Sequence, residues 1–206
     1  MCLFSIYNKF KYKNWIKFSP GTRQKILEKI EEKQSKKLNR ERLPVVINSD
    51  RSWQSYGMFE VDSSGKKTLY LSINLIDDPS LRFHALETIF HEGRHAYQYE
   101  QITKKHISWF NFRAKRWKAN YAGYVTSIED RTIYSLQPVE RDAQKYAIDR
   151  MEEFSFKFRN EADYQQTMNQ MLYRYNKTVE NAKKEYGIFY KSKMYKKIKD
   201  KFDNTH

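Results

Sequence analysis

The sequence predicts an α+β fold, mainly helical, in which a small antiparallel hairpin precedes a long helix. Three observations carry that expectation. Several stretches keep a 3.6-residue apolar period. A turn signal, Asp62-Ser63-Ser64-Gly65, separates two short strand-like runs. Three of the four prolines, Pro20, Pro79 and Pro138, stand where helices begin rather than inside them. The chain has 206 residues, 39% hydrophobic and 16% aromatic, which is globular composition even with 31% charged. Without repeats, low-complexity tracts or a linker, a single domain over 1–206 is expected. Within it, 1–43 reads as a basic helical segment, 44–157 as the core and 158–206 as basic helices.

Each element follows from its own signal. Ser19-Pro20 opens a helix to about Leu38, with Ile26, Leu27 and Ile30 as a sparse apolar face. Leu43-Pro44 ends the next linker, and Val45-Val46-Ile47 reads as a short strand. Tyr56–Val61 and Lys67–Ile73 flank the Asp62–Gly65 turn as a hairpin. Asp77-Asp78-Pro79-Ser80 is a helix start, with acidic residues near the N-terminus and a proline whose missing N–H costs nothing there. That helix runs to about Ile102. Residues 107–122, 138–157 and 161–186 read as further helices, and Lys191–Asp200 as a last, short basic one.

The helix from Asp78 carries His91-Glu92-Gly93-Arg94-His95, an HExxH pentapeptide. By chance such a motif arises in roughly one chain in a hundred of this composition, so its setting matters. Residues four apart are offset by only about 40° around a helix of 3.6 residues per turn. Both imidazoles can therefore reach one metal ion. Glu92, about 100° around the same turn, can take a proton from the water on that ion. Leu86, Ile89, Phe90, Gly93 and Tyr97 make an apolar stripe, while His84, Thr88, His91, His95 and Gln98 fall on another face. Gly93 costs about 1 kcal/mol relative to alanine in a helix and would admit a second backbone segment at close range. His84 is too far along the axis to share the ion and reads as structural.

Two histidines need a third protein ligand, with one position left for water. His106 lies eleven residues past His95, a poor spacing. Glu140 is the better candidate. It follows Pro138 in the first turn of a helix, and it shares a face with Ala143 and Ala147, small residues that allow close packing. Glu129 and Asp130 are alternatives.

The pair of motifs, His91-Glu-Gly-Arg-His95-Ala-Tyr-Gln98 and Gln137-Pro-Val-Glu140-Arg-Asp-Ala143-Gln-Lys-Tyr-Ala147, resembles the gluzincins, HExxH metallopeptidases with a downstream ExxA on a second helix. Within that group it is most similar to small zincins of bacterial and phage mobile elements, including ImmA/IrrE-like peptidases. The resemblance covers residues about 80 to 150. It implies a minimal zincin-like domain and one Zn2+ ion held by His91, His95 and Glu140. It also implies Glu92 as general base and a protein or peptide substrate. In that layout an edge strand holds an extended peptide across the metal, and Leu69-Tyr70-Leu71-Ser72 is the candidate. Position 144 is Gln where larger gluzincins carry an Asp, and Asp142 lies at +2 instead. A donor for the developing oxyanion is also required. Tyr134 stands first for that role, with Tyr146 and Tyr124 beside it.

The formal net charge of +14 is uneven. Residues 1–43 carry 12 basic and 4 acidic groups, whereas 44–100 carry 5 and 8, so the segment around the motif is mildly acidic. Nucleic acid is a conceivable partner for the basic flanks, most of all where Trp109, Phe110, Phe112, Arg113, Lys115, Arg116, Trp117 and Lys118 interleave. Solvated lysine on helix exteriors is the favoured reading. The competing functions are an inactive zincin scaffold that binds nucleic acid and a non-enzymatic structural protein. The lone Cys2 excludes an internal disulfide. No apolar run precedes Asn8-Lys9-Phe10-Lys11, and no segment approaches the ~20 apolar residues that span a bilayer. A cytoplasmic location is therefore expected, with delivery by a specialised secretion system still compatible.

Overall fold

The computed structural model describes residue 6, residues 8–104 and residues 111–186. Cys2, His106, Trp109, Phe110, the start of the helix expected from 107 and the helix expected over Lys191–Asp200 lie outside the described residues. The fold is α+β and mainly helical. In chain order the elements are α1 (Tyr12–Trp15), α2 (Pro20–Leu38), β1 (Val45–Asn48), β2 (Gly57–Val61), β3 (Lys67–Ser72), α3 (Ile73–Asp77), α4 (Arg82–Ile102), α5 (Phe112–Ala122), α6 (Arg131–Leu136), α7 (Pro138–Glu152), α8 (Ser155–Phe158) and α9 (Ala162–Tyr186). Among the described residues no helix is long and apolar enough to cross a membrane.

Contacts divide the described residues into two compact units, one comprising those up to 97 with 146–170 and the other those of 98–145 with 171–186. The divisions fall within α4, α7 and α9 rather than near 43 and 157, where composition changes.

In the first unit, Ser19 caps α2 by accepting the Thr22 N–H, and Pro20 occupies the first turn. The helix ends where Asn39 takes the left-handed conformation (φ 48°). This lets the Arg40 N–H return to the Ser35 carbonyl at 3.0 Å. The hairpin forms where the turn signal placed it. Asp62 Oδ1 accepts from the Ser64 and Lys66 N–H groups, and Gly65 supplies the positive φ of 83°. The sheet as a whole is mixed, in the order β1-β3-β2. β2 runs antiparallel to β3, and β1 joins β3 in parallel with Val45 opposite Leu69. Lys67–Ser72 is therefore the central strand, which corrects its expected place at the sheet edge. Its backbone is paired on both sides, and Leu69 and Leu71 are fully buried.

Packing in this unit centres on an aromatic cluster. Phe10 stacks on Trp15 with centroids 4.6 Å apart, and Phe83 meets Phe158 at 5.0 Å and Tyr164 at 5.1 Å. Arg82, wholly buried, ties the cluster together by donating to the Phe10 carbonyl (2.6 Å) and to Glu161 (2.7 Å). Burial lowers its pKa, and the Glu161 carboxylate opposes that shift.

The second unit is built around Val125, Ile133, Leu136 and Ala182, all buried. Asn111 caps α5, and Asp130 caps α6 by accepting the Thr132 and Ile133 N–H groups. Pro138 opens α7, as expected from its sequence.

Candidate metal centre

Helix α4 enters through a short 3-10 turn, Pro79–Leu81, whose Ser80 N–H is capped by Asp78 at 2.8 Å. Leu86, Ile89 and Phe90 are buried along the expected apolar stripe. The opposite, polar face is not a solvated surface. Thr88, Glu92, His95 and Gln98 are all at most 9% exposed, and His91 is half-buried. Buried polar groups are costly unless paired, so their partners define what this face is for.

The His91 and His95 Nε2 atoms lie 3.1 Å apart, with the rings nearly perpendicular at 79°. A tetrahedral zinc ion with Zn–N of about 2.0–2.1 Å would set its two nitrogens roughly 3.3 Å apart. The observed spacing is close to that separation. Glu92 turns toward the sheet, where its Oε2 accepts the Phe59 N–H of β2 at 2.9 Å. Strand β2 can come this close because position 57 is glycine. A Cβ there would overlap Thr88 Cγ2 and stand 3.0 Å from the Tyr70 carbonyl oxygen and 3.2 Å from Glu92 Cγ. The edge strand beside the general-base candidate is thus Gly57–Val61.

Glu140 sits in the first turn of α7 and is 4% exposed. Tyr124 donates its hydroxyl to Glu140 Oε1 at 2.5 Å, and its ring meets Tyr134 edge-on at 6.1 Å. Burial pushes the Tyr124 phenol pKa up, and the adjacent Glu140 carboxylate adds to that. Of the three tyrosines considered, Tyr124 contacts the candidate ligand, while Tyr134 backs it. Tyr146 has a buried hydroxyl, and its ring lies beneath Arg94.

A set of buried amides holds this turn. Gln137 accepts from Asn120 Nδ2 (2.9 Å) and from the Val125 N–H (3.0 Å), and it donates to the Val125 carbonyl (2.7 Å). Asn120 in turn accepts the Val139 N–H at 3.2 Å. Gln98, one turn beyond His95 on α4, donates to the Val139 carbonyl and to Asp142, both at 2.9 Å. Spacing sets Gln98 on the histidine face, but no local pattern marks Gln98, Asn120 or Gln137 for this role.

Among the described residues, His91, His95 and Glu140 form a group that can hold a metal ion, with one ligand atom from each within 4.8 Å of the others. The alternatives have local duties. Glu129 accepts from the Thr126 N–H at 2.8 Å, and Asp130 caps α6. His84 Nδ1 lies 3.2 Å from Glu87. Gly93 does provide a close approach, though to side chains. A Cβ there would stand 2.6 Å from the Gln34 amide and 2.7 Å from Arg40 Nη2. In comparisons with known proteins, no family model, curated protein or solved structure matches the chain.

Proposed function

We propose that the chain is a zinc-dependent metallopeptidase, with His91, His95 and Glu140 as ligands and Glu92 as general base. The observation that carries this reading is the convergence of those three ligand atoms within 4.8 Å, beside the buried carboxylate of Glu92. Two imidazoles and one carboxylate make a donor set that suits zinc with one position open, whereas hard cations such as calcium favour all-oxygen cages. Bound there, zinc supplies Lewis acidity that acidifies a water and polarises a peptide carbonyl.

The chain's own residues account for the remaining tasks. Glu92, steadied by the Phe59 N–H, accepts a proton from the attacking water and passes it to the leaving amine. Tyr124 holds the Glu140 carboxylate by its Oε1. Tyr134, edge-on to Tyr124, carries the hydroxyl donor that transition-state oxyanion stabilisation needs.

The test separates metal binding from catalysis. Elemental analysis should find one zinc per chain, lost in each of His91→Ala, His95→Ala and Glu140→Ala. Glu92→Gln keeps the shape of the side chain but removes the base. It should retain zinc while slowing hydrolysis of a mixed peptide library by ~10²-fold or more. Full zinc in Glu140→Ala, or an unchanged rate in Glu92→Gln, would overturn the assignment.

A further inference from the structure

The three-stranded sheet has an open face away from the histidine helix. Alternation along β3 sends Leu69 and Leu71 into the core and Tyr70 the other way. There the register partners of Tyr70 are Val46 on β1 and Met58 on β2. Val46 is 40% exposed and Met58 42%, high for apolar side chains in a sheet. A pocket of about 400 Å³ opens on this face, with Trp53, Met58, Glu60, Tyr70 and Asn48 in its lining. That volume lies in the range of pockets that take small ligands or single side chains.

The lining has a definite chemical character. Trp53, Tyr70 and Met58 supply aromatic and polarisable surface, and Glu60 is the one acidic residue of the lining, which has no basic one. Among the described residues Glu60 enters no ion pair. The loop carrying Trp53 is shaped by its own hydrogen bonds. Asn48 Oδ1 accepts the Asp50 N–H at 2.9 Å, Asp50 Oδ1 accepts the Ser52 N–H at 2.8 Å, and the Trp53 N–H returns to the Asp50 carbonyl at 3.2 Å. Such turns place the indole before a ligand arrives. An anion set among aromatic rings complements a cation carried on an apolar stem, which describes lysine and arginine side chains.

We infer that this pocket docks a lysine or arginine side chain of a partner polypeptide, with Glu60 reading the charge and Trp53, Met58 and Tyr70 covering the stem. The local charge is what makes this selective. The whole chain is strongly cationic at +14, so long-range attraction favours acidic partners, yet the pocket itself holds a carboxylate. Preference for a basic peptide must therefore arise at the pocket. Docking there needs no metal, so its outcome is separable from that of the peptidase reading.

The experiment is methyl NMR of the full chain labelled at methionine, with the Met58 signal assigned among the six methionines by Met58→Leu. The probes are the pentapeptide acetyl-Ala-Ala-Lys-Ala-Ala-amide and its counterparts with norleucine or glutamate in place of the central lysine. The lysine peptide should shift the Met58 methyl saturably and bind about five-fold more tightly than the norleucine peptide. The glutamate peptide should leave that signal in place. Glu60→Gln, a conservative change at an exposed position, should erase the lysine preference while keeping norleucine binding. All of this should hold with and without added zinc. Equal affinity for lysine and norleucine, or a preference that survives Glu60→Gln, would overturn the proposal. So would shifts confined to other methionines, or binding that disappears with the metal.

Discussion

Tyr124 and Gly57 show how single residues set this site. Tyr124 gives its hydroxyl to Glu140 at 2.5 Å, and groups that orient a ligand typically contribute 10- to 100-fold to metal affinity. Tyr124→Phe keeps the ring against Tyr134 and removes only the donor. Zinc affinity, read by competition with a chromophoric chelator, should fall about 10-fold or more, with far-UV circular dichroism unchanged. Unaltered affinity would show that Glu140 is held by other means. Gly57 works by absence. Its Cβ would overlap Thr88 and press on the Tyr70 backbone, which cannot give way as a side chain can. Gly57→Ala should therefore destabilise by roughly 1–3 kcal/mol in urea titrations. Gly93→Ala meets the ends of the Gln34 and Arg40 side chains and regains about 1 kcal/mol of helix propensity, so it should cost less. The reverse order would mean that the polar groups packed on Gly93 are the more rigid neighbours.

At the scale of elements, α4 places the histidines and the 137–140 turn places the candidate carboxylate. Gln137 spans that turn with three buried hydrogen bonds. Removing its amide in Gln137→Ala leaves the Val125 N–H, the Val125 carbonyl and Asn120 without these partners. The expected loss is on the order of 2–4 kcal/mol, measured as a lower urea midpoint. A variant as stable as the parent would show that water replaces the amide at little cost. What the sequence disclosed at this scale depends on the range of the signal. The caps at Ser19 and Asp78, the prolines, the Asp62–Gly65 turn and the HExxH spacing act within a few residues, and each of these elements formed where expected. Strand neighbours are a different matter. Alternation in Lys67–Ser72 says which side chains face inward, but it is silent on which strands lie alongside, so β3 read as an edge although it is the centre. The contacts of Gln98 and Tyr124 are equally illegible locally, because each depends on a partner 44 or 16 residues away.

For the molecule as a whole, the question is whether folding and metal binding are one event or two. Small metal-dependent domains are unfolded without their ion because they have too little else to bury. This chain differs. The first unit has an aromatic cluster of Phe10, Trp15, Phe83, Phe158 and Tyr164, joined by the buried Arg82. The second has its own apolar cluster at Val125, Ile133, Leu136 and Ala182. None of His91, His95 and Glu140 belongs to either, so neither cluster depends on an ion for its contacts. Zinc should then act as a ligand that stabilises a fold already present, by about 4 kcal/mol when free zinc is 1,000-fold above its Kd. For a chain of this size that corresponds to a rise in Tm of about 10 °C. Protein stripped with EDTA should accordingly keep its far-UV and near-UV circular dichroism at 25 °C. It should melt cooperatively at the lower temperature and recover the higher Tm when zinc is restored. Loss of the near-UV signal on stripping would overturn this account. It would place the metal among the interactions that fold the chain.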